Sequence, residues 1–251
     1  STNTASDEVS QILTEYCHPG RNNPDIETVK NPLTKVSEDL RYELLSSVRD
    51  SNGFTVLTVA AVRGHTELCV TLLSSLSPAD RLKLILVNKY TALHWATYSG
   101  RTETVSGILN CLTADQQLQL LFTQNSDGNT ALHYAARRGR TETVKILLNN
   151  LPPEQQLDLL STQNRFGDTV LHVSAHRGHT ETVRSLLHNL RPEQQLYLLS
   201  VENYVGKTAS QFAANNKQKE IVEMLKDMSG IWILELIIVS CENSMYLITT
   251  S

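Results

Sequence analysis

Histidine is the residue type whose spacing here most invites a chemical reading. His94, His133 and His172 each follow a threonine by three positions, and His172 and His176 are four apart, the interval at which one helical face can hold zinc. The regularly spaced three, if they hold the same place in successive packed units, stand about 8 to 10 Å apart, too far to share an ion. No Glu occupies the H-E-x-x-H position between His172 and His176, and no third ligand is near. Cys17, Cys69, Cys111 and Cys241 are scattered without a C-x-x-C pair. They suggest neither a zinc knuckle nor a disulfide framework and fit a reducing, cytoplasmic setting. No nucleophile stands beside a base and an orienting third group. The expectation is no enzyme, no metal and no cofactor.

Arginine is the other candidate. Arg63, Arg137, Arg138 and Arg177 suit carboxylate or phosphate recognition. The net charge of −4, the pI near 6.1 and the interspersed Asp127, Asp168 and Glu181 argue against nucleic acid. With 40% hydrophobic and 19% charged residues the chain reads as folded and soluble. Its longest apolar run, 231–239, is nine residues broken by Glu235, well short of the roughly 20 of a membrane helix. The polar, acidic start without Met is wrong for a secretory signal and is expected of a fragment or a trimmed form.

What must position these side chains is a repeat. Thr-Ala-Leu-His occurs at 91–94 and 130–133 and Thr-Val-Leu-His at 169–172, with weaker copies at Thr55 and Thr208. Thr91, Thr130, Thr169 and Thr208 are 39 apart, whereas Thr55 and Thr91 are 36 apart. Gly64, Gly100, Gly139 and Gly178 stand where a first helix should stop in the left-handed conformation. Thr66, Thr102, Thr141 and Thr180 follow as expected caps of a second helix, each with Glu behind it. Val144, Leu147 and Leu148, and again Val183, Leu186 and Leu187, give that helix one apolar stripe. Two short helices cannot bury such a stripe alone, so units must stack.

Segments such as Gly128-Asn129-Thr130-Ala131-Leu132-His133-Tyr134-Ala135-Ala136 and Gly178-His179-Thr180-Glu181 resemble the ankyrin repeat across about 50–228. The fold expected is all-α, an ankyrin-like helical repeat solenoid with short hairpin loops. Such repeats usually run 33 residues. The surplus falls at Thr113–Leu118, Pro152–Leu157 and Pro192–Leu196, where Thr113/Gln116 and Ser77/Asp80 read as capping boxes of an additional short helix. Asn125–Gly128 and Asn164–Gly167 read as hairpin turns, while Asn88-Lys89-Tyr90 lacks a Gly and should be blunted. Residues 1–50 are expected to be an N-terminal helical cap, helical at 8–17 and 37–47, followed by five repeats over 51–228. The tail 229–251 is apolar. For 231–239 a capping strand, a sticky end and a contact with an absent domain all remain open.

The resemblance implies a protein partner on the concave face, built from hairpin tips and first helices. The matching residues are Phe54, Arg63, Lys89, Tyr90, Tyr98, Asp127, Arg137, Arg138, Arg165, Phe166, His176, Arg177 and Tyr204, among tip positions that include Asp168 and Val205. Arginine and aromatics are the types that dominate interface energetics. Five units give a groove of about 40 to 50 Å, suited to a protein surface or long peptide, with an acidic segment favoured. The chain is thus expected to be a monomeric scaffold or adaptor. The alternative is a structural spacer within a larger protein.

Overall fold

The computed structural model describes residues 2–20 and 24–230, among which there are helices and two isolated β-bridges but no strand. The apolar run at 231–239 lies outside them. Helices α1 (Thr2–Cys17), α2 (Ile26–Lys35) and α3 (Glu38–Ser47) come first. Three triplets follow: α4 (Val56–Arg63), α5 (Thr66–Ser74) and α6 (Pro78–Leu86); α7 (Ala92–Tyr98), α8 (Thr102–Asn110) and α9 (Ala114–Phe122); α10 (Ala131–Arg137), α11 (Thr141–Asn149) and α12 (Pro153–Ser161). A fourth triplet, α13 (Val170–Arg177), α14 (Thr180–Leu187) and α15 (Pro192–Ser200), precedes α16 (Ala209–Asn215) and a helical run at 219–230, α17.

Local chemistry sets these boundaries. Thr55, Thr91, Thr169 and Thr208 each cap a first helix by accepting the backbone N–H three residues on. Gly64 and Gly178, both at φ 80°, close α4 and α13. The second helices depart from expectation. Thr66 and Thr180 are their first helical residues, and the caps before them, His65 and His179, make no side-chain capping bond. The threonine hydroxyls instead bridge repeats, Thr66 to Thr104 at 2.8 Å and Thr141 to Thr182 at 2.9 Å.

The additional helix is present in every full triplet. Thr113 and Gln116 form the anticipated capping box, and Ser77 accepts the Asp80 N–H. One side chain then staples the third helix to the end of the second. Arg41, Arg81, Gln117 and Gln195 each donate to the carbonyls eight and five residues earlier, for Gln195 those of Leu187 and Leu190, both at 3.0 Å. The carbonyls left over at a helix C-terminus thereby find donors. Arginine reaches further than glutamine: Arg41 also donates to Ser75 O and Arg81 to Cys111 O, one repeat on.

The chain divides into two compact units, Ser1–Ala135 with Lys145–Leu151, and Ala136–Val144 with Pro152–Ser251. In the first, α7, α8 and α9 pack on α4, α5 and α6, which in turn pack on α1, α2 and α3. The N-terminal helices therefore stack as a further three-helix layer. Helix α2 was not anticipated, and Leu40, read as part of the apolar side of α3, is exposed while Leu44 and Leu45 are buried. In the second unit α13 packs on α14 and α16, and α12 on α13 and α15. Leucines such as Leu57, Leu72, Leu93, Leu171 and Leu186 make the two cores.

Candidate functional site

His94, His133 and His172 each bond the threonine at their own repeat corner. His94 is buried, and its Nδ1 receives the Thr91 N–H (3.3 Å) and hydroxyl (2.8 Å), which leaves the ring proton on Nε2 for Asn129 O in the next hairpin (3.0 Å). His172 repeats this with Thr169 and Lys207 O, and His133 with Thr130. Burial lowers the His94 pKa to about 4 and also lowers that of His172, so both rings are neutral at pH 7. His176 stacks on Phe212 at 4.7 Å, and its Nδ1 is buried without a hydrogen-bond partner. Among the described residues no group of three or more His, Cys, Asp or Glu is placed to hold a metal, and no helix is long and apolar enough to cross a membrane. Cys17 and Cys69 are buried thiols whose pKa burial raises, to about 11 and about 12.

In the first unit the partner-binding candidates meet around a residue that sequence reasoning passed over. The Trp95 ring lies 5.0 Å from Phe54, 5.9 Å from Tyr90 and 5.9 Å from Tyr98, and Tyr98 in turn meets Tyr134 edge-on. Tyr90 OH donates to the Asp127 carboxylate and Asn125 Nδ2 to Tyr134 OH. Burial, followed by the neighbouring Tyr90, raises the Tyr134 pKa to about 12. Phe54 and Tyr90 are thus half-buried walls of an aromatic platform, whose Tyr98 is exposed. The blunted segment at 88–90 has no Asx ring, and Tyr90 fills its place by packing on Trp95. Lys89 is exposed. Arg63 is engaged within the chain: its guanidinium lies 4.7 Å over the Tyr16 ring and donates to Tyr16 O and His18 O.

In the second unit Arg137, Arg138 and Arg177 are exposed at the ends of α10 and α13. The hairpins that follow are closed by side-chain hydrogen bonds. Asn164 Oδ1 accepts the Phe166 and Asp168 N–H groups, and Asn203 Oδ1 those of Val205 and Lys207. Asn203 Nδ2 donates to Asp168 Oδ1 at 2.8 Å, and Gln163 Nε2 bonds both Gly167 O and Glu202 O. Asp168, placed among the tip residues by sequence, is therefore a buried internal tie. Phe166 is 56% exposed, Tyr204 71% and Val205 72%, and the Arg165 guanidinium lies 4.7 Å over the Phe166 ring.

Most of these corners, turns and hairpins repeat one pattern. A family model for ankyrin repeats in three copies matches residues 20–119, 81–160, 109–195 and 151–233. A search among curated proteins returns no match. Because the overlapping matches run without a gap from residue 20 to residue 233, the chain belongs to the ankyrin-repeat family.

Proposed function

We propose that this chain is a non-catalytic scaffold or adaptor that takes a protein partner on the hairpin tips and first-helix ends of its repeats, with an acidic partner segment meeting Arg138 and Arg177. Ankyrin repeats are in general protein–protein interaction modules without catalytic activity. The observation that carries the reading is where apolar surface is left uncovered. Among the described residues the exposed large hydrophobics include Phe166, Tyr204 and Val205 on hairpin tips of the second unit and Tyr98 at a first-helix end of the first, with Leu40 and Tyr197 on third helices. Exposed arginines stand at the first-helix ends, and Arg beside aromatic surface can pair a carboxylate bidentately. Free Cys17, Cys69 and Cys111 support a reducing, cytoplasmic setting, and a monomer is the form we assign.

Crosslinking mass spectrometry of the chain in its native extract, followed by affinity measurement with the purified partner, tests this. Arg138→Glu with Arg177→Glu should weaken binding by about 30-fold or more, because attraction becomes repulsion in a partly desolvated patch. The melting temperature should stay close to that of the parent. A double variant that melts normally and binds at unchanged affinity removes this face and points to the third helices. A chain that yields no partner at all fits a spacer.

A further inference from the structure

The two exposed tips of the second unit form a knob rather than a groove. Tyr204 N donates to Phe166 O at 3.1 Å, so the tips touch. A Cβ on Gly167 would lie 2.5 Å from Tyr204 N and 2.6 Å from its ring, so the Phe166 and Tyr204 tips meet with nothing between them. Phe166, Tyr204 and Val205, each more than half exposed, are thereby grouped into one apolar projection. Their backbones are held by the Asn164 and Asn203 rings and by the Asn203–Asp168 and Gln163–Glu202 ties. Little conformational freedom is therefore left to lose when a partner closes over them. Arg165 lies over the Phe166 ring, and the second hairpin carries exposed Lys207, with Glu202 at its base.

We infer that this projection inserts into an apolar pocket, rimmed by carboxylates, on a folded partner domain. The inference rests on the proposed interaction role and gives the partner's surface a shape and a charge. An extended peptide needs a recess to lie in, and residues this exposed offer none. An aromatic knob flanked by cations also suits a membrane interface. Ankyrin repeats are in general protein–protein interaction modules, which favours a protein pocket over a bilayer.

The test uses the full chain with Val205→benzoylphenylalanine for photo-crosslinking, and the same substitution at the exposed Tyr197 as control. The crosslinked protein is then purified and its Kd measured against Phe166→Ala, Tyr204→Ala, Arg165→Glu and the Arg138/Arg177 double reversal. The expected result is an adduct specific to position 205 that maps to an apolar pocket bordered by Asp or Glu. Each alanine variant should then bind about tenfold more weakly or worse, with an unchanged melt. Adducts equal to those from position 197, no adduct, adducts confined to unstructured segments, or flotation with phosphatidylcholine/phosphatidylserine vesicles in place of protein binding would each overturn it. If only the double reversal weakens binding, the knob is wrong and the interaction role stands. If neither does, both fall.

Discussion

Burial keeps the His94 and His172 rings neutral, and this makes stability depend on pH. An unfolded histidine binds its proton near pH 6.5, whereas folded His94 does so only near pH 4. Between those values the unfolded state binds more protons, so the contribution is complete above about 6.5 and is lost as pH falls toward 4. The shift corresponds to about 3 kcal/mol for His94. Gln211 already makes the same cap at Thr208. His94→Gln should therefore keep the corner, lose the bond to Asn129 and flatten the dependence of urea-melt stability between pH 7 and pH 5. An unchanged slope would show that His94 does not titrate as its burial requires. Glycine offers a second comparison at this scale. Gly167 and Gly206 have φ of 77° and 68°, but a Cβ meets Tyr204 at the first and open space at the second. Gly206→Ala should cost about 1 kcal/mol, the left-handed penalty alone, and Gly167→Ala about 3 kcal/mol, because backbone must move as well. Equal losses in chemical melts would contradict the contact.

Helices are tied by the stapling residues, and here a single side chain controls a whole element. Gln195→Ala leaves two helix-end carbonyls without their donor and should cost about 2 kcal/mol, with hydrogen exchange accelerated in α15. Arg81→Gln keeps the carbonyls of Leu73 and Leu76 within reach and drops only the bond to Cys111, so about 1 kcal/mol is expected. These staples were not legible in the sequence, because bonds to residues eight and five positions back exist only once the chain has turned between helices. The caps were legible: Thr113 with Gln116 lies within one turn and needs no tertiary partner. Helix α2 escaped notice because Pro32 stands inside it and only Val29, Pro32 and Leu33 are buried, too few to display a stripe. Trp95 was missed for a related reason. Its repeat neighbours are Tyr134 and Val173, so nothing in the period marked it, and its place between Phe54 and Tyr98 depends on stacking. Phe166 and Tyr204 could be picked out because they lie within the turns that end at Gly167 and Gly206, where side chains have no core to enter.

At the scale of the molecule, stability should be shared between neighbouring layers. Removing residues 204–251 takes away α16 and α17 and uncovers α13, which packs on α16. A shorter helical array with a cooperative melt is expected, with exchange protection in the first unit unchanged. A soluble truncated chain that melts without cooperativity would speak against layer-by-layer stacking. The reversal of Arg138 and Arg177 should leave folding within about 1 kcal/mol of the parent, because both side chains are exposed at first-helix ends.

The bonds from His94 and His172 to the next hairpins also work as a ruler for chain length. Asn129 lies 38 positions after Thr91, and Lys207 lies 38 after Thr169, because a ring of fixed size must reach a carbonyl at the far end of the repeat. An insertion or deletion inside that span pulls the carbonyl away from Nε2. The first repeat carries Thr58 in place of histidine, and a threonine is too short to make the reach. That repeat is also the one whose step to the next is 36 residues instead of 39. Where the ruler is missing, the chain has lost three residues; repeats that keep it have kept their length.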